Sequence, residues 1–195
     1  MIFDLPTSLD VGGTQWDIDP DFRQVLRILE AMADPDLAEG EKALVLLYDL
    51  YVDFGDMPPA LYQQALDAAT DFIDHGMGGG NTEESRADRA RDGARVMDWA
   101  QDAPLIFPAV NRVAGFEVRG APFLHWWTFL GYFMEISGSV YSTVLGLRSK
   151  KAHRKRLEKA EQAFWNENRD ICRLRKRLSA EERAEKARLK AILGE

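Results

Sequence analysis

Three histidines and one cysteine are the side chains of this 195-residue chain that best suit metal binding or nucleophilic chemistry. The histidines, His75, His125 and His153, lie far apart, and no two of them have the three- or four-residue spacing that brings two ligands to one face of a helix. Cys172 has no histidine near it in the sequence, and we interpret it as a partly buried structural thiol. We therefore expect no catalytic residues, no metal site and no cofactor.

The run Gly78–Gly80 is the nearest approach to a phosphate-binding loop. The Lys-Ser/Thr pair that completes such a loop does not follow it, so we interpret it as part of a linker. A single cysteine excludes a disulfide framework and a zinc site built on cysteine pairs. The net charge of −7 argues against general nucleic-acid binding by the whole chain.

The block His125-Trp126-Trp127 is the most unusual local feature, because three bulky rings in succession cannot all face one core. Successive helical residues are rotated by roughly 100°, so Trp127 falls with Leu124 and Leu130 while Trp126 points elsewhere. Trp126 has two interpretations at this point. It packs beneath another helix, or it stands on a partner surface as an aromatic anchor.

The charge of the chain inverts after Leu147. Residues 1–147 hold 9 basic and 24 acidic side chains, a net charge of −15, whereas residues 148–195 hold 16 basic and 8 acidic ones, a net charge of +8. We therefore divide the chain into a helical domain with an N-terminal hairpin, residues 1–147, and a basic helical extension, residues 148–195. The extension either binds nucleic acid or balances the acidic domain or an acidic partner, and its interspersed glutamates favour the second interpretation.

Hydrophobic periodicity predicts an all-α fold, a helical bundle with a short N-terminal β-hairpin or extended arm. Gly12-Gly13 marks the turn of the hairpin, and Asp19-Pro20 begins the first helix as N-cap and first helical residue. The second helix covers about residues 39–54. Its expected apolar stripe is Leu44, Leu47, Tyr48 and Tyr51. A third helix begins at Pro58-Pro59 and ends near His75-Gly76, and a capping box at Asn81 and Glu84 begins a polar helix.

Hydrophobic periodicity predicts further helices in the second half of the chain. Pro104 and Pro108 limit the regular spans after Trp99, and we expect Gly115 to end that helix. Residues 121–147 contain Glu135 as their single acidic side chain, and we expect a buried helical hairpin that begins at Pro122 and breaks at residues 136–139, rather than a membrane span. Residues 148–195 are expected to form a long basic helix with a coiled-coil-like seam, Leu157, Phe164, Ile171 and Leu178, and a restart at the capping box of Ser179 and Glu182.

Two groups of residues carry a resemblance to a known family. The first holds Leu5-Pro6, Val11-Gly12-Gly13 and the run Ile18-Asp19-Pro20-Asp21-Phe22-Arg23. The second holds Asp98, Asp102, Ile106-Phe107, Val113, Gly115-Phe116, the motif Leu124-His125-Trp126-Trp127-Thr128-Phe129 and Leu147-Arg148. Over residues 5–165 the chain resembles the siphophage tail assembly chaperones labelled gp fifteen in some phages. Pro104 and Pro108 depart from the smoother helix of that family.

The resemblance implies a non-enzymatic protein that binds the tape-measure protein and promotes assembly of the tail tube from the major tail protein. A homo-oligomer stays open, and the charge pattern and Glu135 argue against nucleic acid and membranes as partners. We expect the partner surface to include His125, Trp126, Phe129 and Tyr132. The expected location is the host cytoplasm, with the protein absent from the mature virion. The alternative function is a structural minor tail or connector protein of the virion.

Overall fold

The computed structural model of the chain describes residues 4–74 and 95–193. A short antiparallel hairpin precedes a set of helices, which confirms the predicted all-α class with an N-terminal β-hairpin. The elements are β1 Ser8–Val11, β2 Thr14–Asp17, α1 Phe22–Met32, α2 Glu39–Leu50, α3 Tyr62–Ile73, α4 Trp99–Ala114, α5 Trp126–Met134, α6 Val140–Ala152, α7 Lys159–Glu167, α8 Arg169–Cys172 and α9 Ala180–Leu193. Short 3₁₀ turns lie at Phe54–Asp56, Pro59–Leu61 and Val118–Gly120.

The hairpin turns at the two glycines, as the sequence predicts. Gly12 and Gly13 have φ angles of 64° and 81°, the left-handed region that a two-residue hairpin loop requires. A Cβ atom at Gly12 would lie 2.8 Å from Cδ2 of Leu61, so a larger residue there would also require the Leu61 side chain to shift. Val11 is buried beneath the hairpin and fixes it to the core.

The main core lies among α1, α2, α3, α4 and α5. Phe22 at the start of α1 is its centre, and its ring stacks on that of Phe129 with centroids 4.5 Å apart. The buried apolar side chains that surround this pair come from every one of these helices: Val25, Ile28, Leu46, Leu47, Leu50, Ala65, Ala69, Phe72, Ile106, Ala109, Val110 and Trp126. Burial of this set supplies the hydrophobic stabilisation of the fold.

Two expectations about the first helices are wrong in detail. The N-cap of α1 is Asp21, whose carboxylate accepts the backbone N–H of Arg23, and not Asp19. Of the expected stripe, Leu47 and Tyr51 are buried, but Leu44 and Tyr48 point outward, and Leu46 and Leu50 are buried instead. Residues 43–48 are apolar on every side of the helix, so the hydrophobic pattern did not define which face turns inward.

The prolines do not interrupt α4, contrary to expectation. Pro104 and Pro108 lie within the helix, one turn apart, and both are exposed. Each proline leaves one carbonyl of the preceding turn without its helical partner, and on the exposed side that carbonyl can be hydrated. Gly115 ends the helix at a φ of 80°, and its N–H donates to the carbonyl of Asn111, as expected of a glycine cap.

The two helices predicted within residues 121–147 are present, but the first begins at Trp126 and not at Pro122, and both pack mainly on α4 rather than along each other as a hairpin. Residues 121–124 are instead extended against the start of α1. The break lies where expected, with Gly138 at a φ of 55° and Ser139 capping α6. Within residues 4–74 and 95–193, no helix is both long enough and apolar enough to cross a bilayer.

The C-terminal part is not one long helix. The backbone breaks at residues 153–158 and again at residues 173–179. Leu157, Phe164 and Ile171 of the expected seam pack against α6 of the same chain, whereas Leu178 lies in the second break. The small core of this C-terminal part contains Val144, Leu147, Trp165 and Cys172, packed by Leu157, Phe164 and Ile171. The helices are separated by two basic turns that carry few apolar side chains. Seven-residue spacing of apolar side chains does not indicate where such breaks occur.

The restart at Ser179 is confirmed. Ser179 and Glu182 exchange side-chain and backbone hydrogen bonds at the start of α9, which is the predicted capping box. The change of charge after Leu147 falls inside α6, so the backbone is continuous where the composition changes. The end of the third helix near His75-Gly76 and the capping box at Asn81 and Glu84 lie outside the described residues; α3 itself ends at Ile73.

Candidate partner-binding groove

His125 joins three separate segments of the chain. Nδ1 of His125 accepts the backbone N–H of Trp127 at 3.0 Å, and its Nε2 lies 2.9 Å from the carbonyl oxygen of Pro6. An acceptor at Nδ1 assigns the ring proton to Nε2, which therefore donates to Pro6. The residue also forms an antiparallel bridge with Asp21. His125 thus acts as the N-cap of α5 and fixes the segment before the hairpin.

The two tryptophans cap the end of α3. The indole N–H of Trp126 donates to the carbonyl of Ile73 and that of Trp127 to the carbonyl of Phe72, each at 2.8 Å. The last four carbonyls of a helix have no partner within it, and here two successive indoles supply the missing donors. The tandem tryptophans are therefore explained by the end of a neighbouring helix.

Asp21-Phe22-Arg23 binds directly to the same region, although about a hundred residues separate the two motifs. The Arg23 guanidinium forms two hydrogen bonds with the Asp21 carboxylate and also donates to the carbonyls of Ala121 and Pro122 at 3.0 and 3.1 Å. Burial by itself would raise the pKa of Asp21, but hydrogen bonds from Arg23 and from the backbone N–H of Leu124 outweigh it and hold that pKa below its usual value.

The four residues expected on the partner surface are mostly in the core. Trp126 is only 2% exposed, and His125 and Phe129 are buried as well. Their side chains have the structural partners described above, so the surface position expected for these three is wrong and the packed interpretation of Trp126 is correct. Tyr132 alone stays half-exposed, with its ring edge-on to that of Phe116, and its contact with a partner stays a prediction.

A second cluster, of carboxylates and arginines, ties the C-terminal part to α4. Arg148 is buried and donates to both oxygens of Asp102 at 2.7 and 2.9 Å. It also donates to the carbonyls of Val96, Ile171 and Cys172, so all five of its N–H groups are used. Burial raises the pKa of the Cys172 thiol, which agrees with the structural role expected for that residue.

The neighbouring carboxylate, Asp98, holds the segment that follows α8. It caps α4 by accepting the backbone N–H of Gln101, and it forms two hydrogen bonds with Arg177 at 2.7 and 2.9 Å and an ion pair with Arg95. Gln101 pairs with both backbone groups of Arg175. Residues 175–177 are thus attached to α4 by polar contacts. The resemblance included Asp98, Asp102 and Arg148. It did not include Arg177, and no local sequence pattern indicates that Arg177 pairs with the distant Asp98.

A concave surface with an apolar floor lies between α1 and α4, and we call it the α1–α4 groove. Its volume is about 290 Å³. Trp99, Ala103 and Phe107 line one wall at four-residue spacing, which places them on one face of α4, and Leu26 lies opposite on α1. The four-residue spacing is visible in the sequence, but it also fits an ordinary core face, and so the groove was not predicted.

The charges of the groove lie on the α1 rim. Arg23, Arg27 and Glu30 follow one another along the outer side of α1, while the α4 wall is uncharged and contains the small residues Ala100 and Ala103. Small side chains allow the backbone of another helix to come close, and rim charges orient it. The arrangement suits the apolar stripe of an amphipathic helix.

Another concave surface carries a concentration of positive charge. An open concavity of about 1070 Å³ beside α7 carries Lys151, Lys155, Arg156 and Lys159 against the single carboxylate of Glu158. Its lining contains no histidine, cysteine, serine or threonine. In the part of the chain that the structure describes, no group of three or more His, Cys, Asp and Glu side chains could hold a metal ion.

Comparison with models of known protein families matches residues 1–174 to the family described as Bacteriophage Gp15 protein. No curated protein and no solved structure gives a significant match to the chain.

Proposed function

Because the chain belongs to the bacteriophage Gp15 protein family, we propose that it is a non-enzymatic tail assembly chaperone. In this proposal it binds the tape-measure protein and promotes polymerisation of the major tail protein around it, in the cytoplasm of the host. Membership of a phage protein family supports a structural or assembly role, and the tape-measure protein as partner is the finer step of the proposal.

The α1–α4 groove is the observation that carries this proposal. A tape-measure protein is a long chain that we expect to be helical, and its apolar stripe needs cover until the tube surrounds it. The groove offers an apolar floor between Leu26 and Phe107, an uncharged wall with Ala103, and a charged rim with Arg27 and Glu30. These are the features of a surface that accepts one face of an amphipathic helix.

The size of the groove fits a temporary contact. A concavity of about 290 Å³ accommodates only a few side chains of a bound helix, and small interfaces are generally weak and transient. Several copies bound along one long chain would keep it soluble together, while each copy could be displaced by a tube subunit. A very tight single site would oppose that displacement.

Co-expression tests the proposal. The tape-measure protein of the same phage should be insoluble alone and soluble when this chain is produced with it, and the two should co-purify. A tape-measure protein that stays insoluble, with no complex recovered, would contradict the proposal. Mass spectrometry of purified virions separates the chaperone from the structural alternative. A chaperone should be absent from finished particles, and stoichiometric amounts there would indicate a minor tail or connector protein.

A further inference from the structure

Three large apolar side chains form an exposed row on the outer side of α2, and we call this row the α2 patch. Leu44, Tyr48 and Val52 are 51%, 74% and 63% exposed. Leu44 and Tyr48 are one helical turn apart, and Val52 follows the end of the helix, where its N–H donates to the carbonyl of Asp17 at the end of β2. A row of this kind marks an interaction surface more often than isolated apolar side chains do.

The surroundings of the α2 patch are acidic. Residues 39–74 contain eight acidic side chains and a single basic one, Lys42, which forms an ion pair with Glu39. Asp53 and Asp56 are exposed in the turn after α2, Glu41 is exposed one turn before Leu44, and Asp17 is exposed beside Val52. The patch therefore favours a partner that combines apolar side chains with positive charge.

The same chain carries such an element in α9. All the described side chains of this helix, residues 180–192, are exposed, and Leu189 and Ile192 are 51% and 71% exposed. These two lie three residues apart and share one side of the helix. Lys186, Arg188 and Lys190 lie in the same half, and residues 186–192 contain no acidic side chain.

The start of α9 is attached to the body, while the half that carries Leu189 and Ile192 is exposed. Asp36 accepts the backbone N–H of Ala180 at 2.6 Å and the guanidinium of Arg183 at 3.0 Å. The helix is therefore held at its beginning by polar contacts and presents its basic apolar half outward. An anchored helix loses less freedom on binding than a loose tail, which favours association.

We propose that α9 of one copy of this chain binds the α2 patch of a second copy. Leu189 and Ile192 cover Tyr48 and its apolar neighbours, and the lysines and arginine of α9 face the acidic rim. Both surfaces are exposed apolar rows, and their flanking charges are opposite in sign. The inference stands apart from the proposed function, because neither surface is part of the α1–α4 groove.

The contact joins two different surfaces and is therefore heterologous. Such a contact leaves an unused α9 at one end of a pair and an unused α2 patch at the other, so association can continue beyond two copies. A helix of 14 residues is only about 21 Å long, and the interface it buries is small. We expect weak association that increases with protein concentration and decreases with salt.

Sedimentation velocity of the full chain over a range of concentrations tests the contact. The wild type should form dimers and larger species at high concentration, and Tyr48→Ser and Ile192→Ser should each remain monomeric. Val140→Ser is the matched control, since Val140 is an exposed apolar residue of α6 outside both surfaces, and it should associate like the wild type. Circular dichroism of each variant shows whether its helices are intact.

A mixture of the two defective variants distinguishes this contact from others. A Tyr48→Ser copy keeps an intact α9 and an Ile192→Ser copy keeps an intact patch, so the mixture should form one-to-one dimers and nothing larger. A wild type that is monomeric at every concentration would overturn the proposal. Association that neither substitution weakens would overturn it as well. A mixture that stays monomeric would also overturn it, because that result would indicate that α9 binds its own chain or that the two surfaces bind a different protein.

A charge exchange provides a second, independent variant. Asp53→Lys and Lys190→Glu should each reduce association, and the double variant should restore part of it if these side chains approach each other across the interface. The proposed pairing would be overturned if the double variant associated as weakly as the two single charge variants and if the two serine substitutions left association unchanged.

Discussion

Arg148 and Asp102 face each other between α6 and α4 and share two parallel hydrogen bonds, of 2.7 and 2.9 Å. The arginine also donates to carbonyls that belong to the end of α8, so one side chain connects the body of the protein to its basic C-terminal part. Both side chains are almost completely buried. A buried pair of this kind fixes one arrangement of the segments, because leaving either charge alone in the interior is costly.

Removal of the arginine should therefore destabilise the protein strongly. We expect Arg148→Met to lower the free energy of unfolding by about 3–5 kcal/mol, since it leaves the Asp102 carboxylate buried without its partner. Urea unfolding followed by circular dichroism measures the change. Lys176→Met is the control, because Lys176 is exposed and its pair with Glu182 lies at the surface, where such pairs contribute little. Similar effects of the two substitutions would contradict the importance of the buried pair.

Replacement of the tandem tryptophans by phenylalanine tests the capping of α3. Trp126→Phe should cost about 1–3 kcal/mol of stability, because it removes the donor from the buried carbonyl of Ile73. Trp127→Phe should act in the same direction through Phe72. The matched control is Trp16→Phe, because the buried indole nitrogen of Trp16 has no hydrogen-bond partner among the described residues. Chemical denaturation of the three variants compares them, and an equal loss in all three would rule out a specific role of the indole hydrogen bonds.

Acid should weaken the junction between α1 and residues 121–124 through Asp21. The pKa of this carboxylate is lowered in the folded protein, because its hydrogen bonds from Arg23 and Leu124 outweigh the opposing effect of burial. Its contribution is complete above the ordinary aspartate pKa of about 4 and is lost as the pH falls through the lowered value. The stability difference between the wild type and Asp21→Asn, measured by urea unfolding from pH 7 to pH 3, should therefore shrink as the pH falls. A difference independent of pH would contradict this role.

The thiol of Cys172 should report the integrity of the C-terminal core. It is buried, and burial raises its pKa, so it should react slowly with a disulfide reagent at pH 8 in the native protein and rapidly after unfolding. Arg148→Met should increase the native rate, because the backbone carbonyl of Cys172 loses its hydrogen bond. A native rate equal to that of the unfolded chain would show that the segment does not stay packed on α6.

The sequence contained enough information to predict the fold class and the positions of the breaks that depend on local chemistry. The hairpin at Gly12, the helix end at Gly115 and the capping box at Ser179 follow from backbone preferences of a few adjacent residues. We did not predict that α4 continues through Pro104 and Pro108. Both prolines lie on its exposed side, and the positions of prolines in a sequence do not show which side of a helix faces solvent.

The role of the aromatic block could not be derived from its spacing. Trp126 is buried because the end of α3 lies above it, and that neighbour is about fifty residues away in the sequence. The same holds for Arg177, whose partner Asp98 is the N-cap of α4. Pairings of this kind depend on tertiary contacts, and a single sequence gives no direct signal for them. The α1–α4 groove is likewise the product of two helices that are distant along the chain.

Binding of the tape-measure protein by groove variants tests the central claim most directly. Ala100 is exposed and lines the α1–α4 groove, so Ala100→Arg should obstruct it, whereas the matched Ala163→Arg places the same side chain on an exposed position of α7 outside it. With both variants folded, we expect Ala163→Arg to bind the tape-measure protein like the wild type and Ala100→Arg to bind it at least tenfold more weakly, the equivalent of about 1.4 kcal/mol. Equal affinities of all three proteins would contradict the assignment of the groove as the binding site.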